Sequence, residues 1–485
     1  MEKLYNLISK KIIDKYQISN LSIKGITCDS RNVKKGFIFA AFQGSNKNGI
    51  NYIKEAIDKG AIAILIDKKS LNKVECYIKV TIIPVSISRK VYAIICNKFY
   101  NNKFDNIIAI TGTNGKTSVA WFANSLIKLL GIDSASIGTL GVHHNSIIKI
   151  NSLTTPESEI ITSNLNKLYK KKVKNIIIEA SSHGLNQYRL DGINFNIVVI
   201  TSLSRDHLDY HKTFKDYKRA KLRLFSEVAN KGVAIINECV PQFKDFIKAA
   251  LSNNLKVITI GNSKSANWKF KIKNINNRKQ EVEVTFNKIK TIIFSNIIGE
   301  FQINNLITSV SILIEMGFKR NIVENAIEGL KPVPGRMERI VNKNDINIYI
   351  DFAHTPDALK NVLLSIRPYV KNKLYLVFGC GGDRDKGKRP LMGKVANKYA
   401  DKIIITDDNP RYEDPESIRK QIIDFCPKSK EIADRTEAVI YAINNLKKGD
   451  VLLIAGKGHE SHQEVNGKFL KYNDSILIKK VIGVN

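Results

Sequence analysis

Ile107-Ile108-Ala109-Ile110-Thr111-Gly112-Thr113-Asn114-Gly115-Lys116-Thr117-Ser118 is the stretch on which the fold turns. Its first four apolar residues predict a buried strand, and Val119-Ala120-Trp121-Phe122 opens a helical pattern after a glycine-punctuated turn. A strand, a Gly-rich loop and a helix start make a phosphate cradle. Backbone N–H groups and the helix N-terminus face the anion, Lys116 reaches a terminal phosphate, and Thr117 offers its hydroxyl to Mg²⁺. The spacing is unusual. The common phosphate loop has glycine six residues before its lysine, where this chain has Ile110, so only Gly112-x-x-Gly115-Lys116-Thr117 remains. The plain alternative is a strand–helix turn that binds nothing, but Lys-Thr at a helix start has no structural need.

Outward from this stretch, 485 residues with a 43% hydrophobic fraction suffice for two to four domains. The net charge of +32 is extreme, but its lysines run the whole length beside abundant Ile and Asn. That pattern fits codon drift better than a nucleic-acid groove, and no aromatic interleaving marks such a groove. The basic surface should still attract nucleotides and phosphorylated substrates. Cys28, Cys76, Cys96, Cys239, Cys380 and Cys426 are scattered without C-x-x-C spacing, which predicts reduced thiols in a cytoplasmic protein. No run approaches the ~20 apolar residues of a membrane helix, so no membrane partner is expected.

The alternation of strands and helices predicts an α/β chain of three domains. Residues 1–84 form a small α/β unit: a helical stripe at Leu4, Ile8, Ile12 and Ile13, a strand at 37–42, a polar loop, a helix at 51–59 and a strand at 61–66. Residues 85–334 form the central phosphate-loop domain. Strands at 176–180, 197–202 and 233–236 and helices at 157–172 and 215–229 predict a doubly wound parallel sheet. Period-two alternation (Trp268, Phe270, Ile272; Val282, Val284, Phe286) predicts an antiparallel excursion within 262–296. Residues 335–485 form a third, Rossmann-like unit with strands at 346–351, 373–378, 402–406 and 451–455. Its Gly379-Cys380-Gly381-Gly382 turn lacks the third glycine of a dinucleotide site, because Arg384 stands there.

Several clusters could carry chemistry. Glu179 ends a buried strand beside the phosphate loop, and one carboxylate with phosphate oxygens suits Mg²⁺; a solvent-paired strand end is the equal alternative. Asp206-His207-Leu208-Asp209-Tyr210-His211 puts two Asp and two His at another strand end, without zinc spacing. Tyr217 to Phe225 reads first as a basic amphipathic helix with a solvated face, and nothing in its composition singles out Lys221. Asp383 to Arg389, Asp407 to Arg411 and Gly456 to Glu460 each follow a predicted strand, so they meet at one carboxyl edge. Arginines with Glu460 there suit a zwitterion, an amino acid.

These motifs, in this order, resemble the Mur ligase family. The similarity runs from Asp29-Ser30-Arg31 through the shortened loop, Glu179 to Leu185, the Asp206 to His211 run, Ala220-Lys221, Pro334-Gly335-Arg336 and Asp351 to Pro356, to Gly456 to Glu460. The resemblance implies an ATP-dependent ligase of peptidoglycan synthesis. It would join meso-diaminopimelate to the D-Glu side chain of UDP-N-acetylmuramoyl-L-Ala-D-Glu. Gly112, Thr113, Asn114, Gly115, Lys116, Thr117 and Ser118 would hold the ATP phosphates, with Asn305, Arg336, Asp351 and His354 at the nucleotide. Thr117 and Glu179 would hold one Mg²⁺, and His207 with Glu179 a second. Lys221 matches a lysine that CO₂ carbamylates into a metal ligand. Lys116, Glu179, His207 and Lys221 are the implied catalytic set. Cys28, Ser30, Ser45, Asn46 and Lys47 match the UDP-sugar pocket, and Thr154, Thr155, Ser181, Gln187 and Arg189 its muramoyl-dipeptide arm. Arg384, Asp408, Asn409, Pro410, Arg411, Gly456 and Glu460 match the amino-acid site. Small-molecule substrates and a monomer are implied.

The chain departs from the family pattern at Asn48, Ile50, Gln302 and Phe352. Two relatives by fold remain alternatives. A lysine-adding ligase is disfavoured by Arg411, and a folylpolyglutamate synthetase by the more than 100 residues before the loop.

Overall fold

The computed structural model describes residues 1–44, 47–74, 80–145, 147–149, 153–275, 279–341 and 347–483. Ile108 and Ile110 of strand Asn106–Thr111 point to one face of the central sheet, and Ile107 and Ala109 to the other. All four are buried, as a parallel strand covered on both faces requires. The strand lies between Asn175–Glu179 and Ile197–Ile200, parallel to both. The chain therefore reverses its winding direction beside it, and the ends of those two neighbours flank the phosphate loop. Helices Lys116–Leu129 and Glu300–Glu315 cover the first face through Val119, Phe122, Leu306 and Val310. Helices Ser158–Lys170, Phe214–Arg223 and Phe243–Ser252 cover the second.

The expected antiparallel excursion is present and is no separate body. Trp268–Ile275 pairs parallel with Lys256–Ile260 through Trp268 and Ile260, then antiparallel with Gln280–Phe286, which pairs with Ile289–Ser295. These strands extend the central sheet to eleven.

The N-terminal unit is a four-stranded parallel sheet of Gly25–Thr27, Phe37–Ala41, Ala61–Asp67 and Thr81–Val85. Helix Ser88–Tyr100 buries Tyr92, Ile95 and Cys96 in the same core as Leu65 and Ile83, so that core extends past residue 84. The apolar stripe of the first residues is two short helices, Leu4–Leu7 and Lys10–Tyr16. Extended Ser9 separates them, and Leu4, Leu7, Ile8 and Ile13 are the buried positions.

In the C-terminal unit a six-stranded sheet runs in the order Glu338–Val341, Asn347–Asp351, Val451–Ala455, Leu374–Phe378, Lys402–Ile405, Lys430–Glu431, with only the first pair antiparallel. The turns after Phe378, Ile405 and Ala455 therefore share one edge. Among the described residues no helix is long and apolar enough to cross a membrane.

Candidate active site

The phosphate loop is shaped by close approach. Gly115, at φ +86°, has the Asn305 amide so near that a Cβ would sit 2.6 Å from its Oδ1. Lys116 folds back, donating to the carbonyls of Gly112 and Thr113, each at 2.9 Å. Thr117 donates to Glu179 Oε2 at 3.0 Å, while Glu179 also accepts from Thr139 N and Thr139 Oγ1, each at 3.0 Å. Thr139 escaped the sequence reading because it lies on a neighbouring turn. Ser118 is buried in the first turn of the loop helix.

Lys221 corrects the reading of helix Phe214–Arg223 as a solvated basic face. Arg219 is exposed, but Lys221 is 1% exposed and donates to Gly112 O at 2.7 Å. A π-helical turn, Leu224–Val228, follows at once. Burial pushes the Lys221 pKa well below the ordinary lysine value, and Lys116 pushes it further. Among the described residues it has no ion pair. The Tyr217 ring lies 4.7 Å from its Nζ, and the Tyr217 hydroxyl is 2.8 Å from Thr113 Oγ1.

Asp206 gathers imidazoles from two units. Its Oδ2 lies 3.4 Å from His207 Nε2 and 3.7 Å from His354 Nε2. Burial raises the Asp206 pKa, but His207 and His354 outweigh it and hold the carboxylate well below its usual range. Burial lowers His207 to about 3 and His183, whose ring meets it edge-on, to about 4, so both are neutral imidazoles at pH 7.

On the nucleotide side, Asn305 donates to Gln302 Oε1 at 3.1 Å, and the Arg336 guanidinium lies 4.1 Å over the Phe352 ring. Asp351 is buried, and its oxygens accept the N–H groups of Met337 and Ala353 at 2.7 and 2.8 Å. A cavity of about 220 Å³, lined by Phe122, Ile297, Gln302, Val333 and Arg336, lies beside the loop helix where the central and C-terminal units meet.

Toward the N-terminal unit, Thr154, Thr155, Ser181, Gln187 and Arg189 form one connected patch. Thr155 Oγ1 donates to Glu179 O at 2.7 Å and accepts from Ser181 N at 2.9 Å. Thr154 Oγ1 lies 3.2 Å from Thr139 Oγ1. Arg189 donates to Thr155 O at 2.6 Å and Gln187 Oε1 at 2.7 Å, and pairs with Glu157 at 2.8 Å. Cys28 N donates to Glu159 of the central unit at 3.1 Å, Ser30 donates to Glu55 at 2.9 Å, and Lys47 is exposed. Ser45 and Asn46 lie outside the described residues.

The clusters at the C-terminal edge converge. The Gly381–Gly382 turn presses on residues 409–411, where a Cβ on Gly382 would meet Pro410 O. Arg411, at φ +54°, donates to Gly382 O at 2.7 Å and to Glu464 at 2.9 Å. Arg411 therefore already has a carboxylate partner, one that sequence spacing did not reveal. Arg384 is exposed and has no ion pair among the described residues. A Cβ on Gly456 would meet Asp408 Oδ2, and Asn409 donates to Glu460 at 2.9 Å. Besides the Asp206–His354 pair, further contacts hold this edge to the central unit. Arg205 grips Asp385 bidentately at 2.9 and 3.1 Å, and Asn114 reaches Thr355 and Asp357, each at 3.5 Å.

Fold and site together define a three-unit α/β chain of the phosphate-loop class, with a shortened loop. Its segments match three family profiles: "Mur ligase family, catalytic domain" over residues 22–100, "Mur ligase middle domain" over 110–313, and "Mur ligase, glutamate ligase domain" over 335–458. The chain is 41% identical over 473 residues to the UDP-N-acetylmuramoyl-L-alanyl-D-glutamate--2,6-diaminopimelate ligase of Rickettsia rickettsii, covering 96% of each chain. It belongs to the Mur ligase family. A solved structure of a ligase of that same name is 31% identical, with a TM-score of 0.69 over 97% of this chain and 98% of that one. A Mycobacterium tuberculosis folylpolyglutamate synthase, 15% identical with a TM-score of 0.65 over 82% of this chain and 96% of its own, shares the fold alone.

Proposed function

We propose that the chain is an ATP-dependent ligase that joins meso-diaminopimelate to the D-Glu side-chain carboxylate of UDP-N-acetylmuramoyl-L-Ala-D-Glu in peptidoglycan synthesis. The observation that carries this reading is the joining of a phosphate loop to an edge bearing Arg384, Arg411 and Glu460, in a chain so similar to ligases of that name. A carboxylate is a poor electrophile. Its oxygen attacks the γ-phosphorus of ATP, and the bond to the ADP oxygen breaks, leaving an acyl phosphate. The amine then attacks the acyl carbon, the C–N bond forms, phosphate leaves and the nitrogen loses a proton. Gly112 to Ser118 hold the phosphates and Lys116 neutralises them; positioning and charge account for the rate. The cavity beside Arg336 takes the adenine, with Asn305, Asp351 and His354 around the nucleotide. Thr154, Thr155, Ser181, Gln187 and Arg189 hold the dipeptide arm, and Cys28, Ser30 and the loop through Lys47 hold the UDP-sugar.

The Thr117 hydroxyl and Glu179 carboxylate, 3.0 Å apart at the loop, are the hard-oxygen donors Mg²⁺ prefers. Thr117 and Glu179 would hold one Mg²⁺; His207, Glu179 and a Lys221 carbamate would hold a second. Bound there, Mg²⁺ offsets the charge on the transferring phosphate. Lys221 is suited to carbamylation. Burial and Lys116 push its pKa well below the ordinary lysine value, which favours the free amine that adds to CO₂ and loses a proton, placing an anion beside Lys116. The substrates are small molecules, and the chain acts as a cytoplasmic monomer.

The test is phosphate release from ATP and Mg²⁺ with UDP-N-acetylmuramoyl-L-Ala-D-Glu, run with meso-diaminopimelate, with L-lysine and with neither. Release with diaminopimelate alone, with a product heavier by one residue, is expected. Release with lysine alone would overturn the role of Arg411, and release with neither would overturn the activity.

A further inference from the structure

Lys457 is fully buried at the C-terminal edge, within the turn after strand Val451–Ala455. Its ammonium donates to Asn409 Oδ1 at 2.8 Å and to Glu460 Oε2 at 3.0 Å. Asn409 Oδ1 also accepts the N–H of Glu464 at 3.0 Å. Two donors on that oxygen fix the carboxamide, so its Nδ2 points at Glu460 Oε2, 2.9 Å away. Glu460 Oε2 is thus taken twice, while Oε1 has no hydrogen-bond partner among the described residues.

We propose that Lys457 is a positioning residue for the incoming amino acid: it locks Asn409 and Glu460 so that Glu460 Oε1 alone faces the ligand's ammonium. This rests on the amino-acid site proposed above. Charge supports it. Glu460 has Lys457 as its one ion-pair partner among the described residues, while Asp408 also faces Arg435, Lys388 and Arg411. Arg411 shares Glu464, and Arg384 has no ion pair among the described residues, so an ammonium at Glu460 and a carboxylate at these arginines complement the edge. Without Lys457, Glu460 loses its ion-pair partner and the carboxamide loses a donor that orients it. Selectivity for a zwitterion would then fall although Lys457 touches no ligand.

The experiment is steady-state kinetics of the full chain and its Lys457→Met variant, with each of the three substrates varied in turn and melting followed in parallel. The expected result is a rise of about 10–100-fold in KM for meso-diaminopimelate, the scale of a lost hydrogen bond to a charged group, with KM for ATP and for the UDP-sugar dipeptide within about twofold of the unaltered chain. A purely structural role would lower kcat through loss of folded enzyme and leave all three KM values alone, and that result overturns the proposal. If the Met variant does not fold, Lys457→Gln is judged by the same KM split; failure of both to fold also overturns it. Absence of diaminopimelate-dependent turnover in the unaltered chain is a separate outcome, which overturns the functional reading and this role with it.

Discussion

Gly138→Ala tests the site at its centre by displacing Glu179 without replacing it. Gly138 ends strand Ser134–Gly138, beside the strand that ends in Glu179. A Cβ there would sit 2.2 Å from Glu179 Oε1 and 2.5 Å from its Cδ. Ordinary contact begins near 3.4 Å, so the carboxylate must retreat by about 1 Å. The bond from Thr139 N to Oε1, 3.0 Å long, then passes out of hydrogen-bond range. A hydrogen bond to a charged group contributes about 1.5–3 kcal/mol, and a displacement of about 1 Å at a reacting site lowers the rate about 100-fold, or about 2.7 kcal/mol. The two estimates agree in scale. Gly138 does not use the left-handed region, so alanine fits its backbone and the fold should persist. Phosphate release measured against Mg²⁺ concentration should show about a 100-fold lower rate and a raised Mg²⁺ requirement. Wild-type rate and Mg²⁺ dependence in this variant would refute the placement of Glu179 at the metal.

Lys221→Ala should lose most activity, and bicarbonate should restore CO₂-depleted unaltered enzyme but not the variant; ordinary turnover in Lys221→Ala removes the carbamate role. Arg411→Asn, which tolerates the left-handed backbone, should lower the diaminopimelate-to-lysine preference in kcat/KM by at least about tenfold, and an unchanged ratio would show that Arg384 reads the carboxylate alone. Asp474→Asn leaves the fully buried Arg435 without its carboxylate, 2.8 Å away, and should cost about 3–5 kcal/mol in urea unfolding. Hydrogen bonds from Arg389 pull Glu413 down to about 2 from its ordinary 4.5. Its contribution is therefore full above pH 4.5 and lost as pH falls toward 2; Glu413→Gln should flatten that part of the stability profile, and an unaltered slope would discount the pair.

Local pattern made much of the fold legible. Ile107 to Ile110 announced a strand buried on both faces, and the alternation around Trp268 and Val282 announced antiparallel pairing, because each depends on neighbours in sequence. The phosphate loop and the strand-end clusters were legible for the same reason. Lys221 was not: lysine on a basic helix reads as solvated, and only the packing of that helix under the loop, 109 positions away at Gly112, buries it. The contact of Cys28 with Glu159 spans 131 positions. Glu464 as partner of Arg411, and Lys457 as a clamp on Asn409, follow from a turn folding back on its sheet, which no spacing rule encodes.

The bridge between Arg205 and Asp385 joins two sheets end to end. Arg205 is 45% exposed, but Asp385 is only 7% exposed and takes two hydrogen bonds from it. The pair is therefore worth more than the ~0–1 kcal/mol of an exposed one, and salt screens it less. It fixes the turn after strand Leu374–Phe378 against the turn after strand Ile197–Ile200.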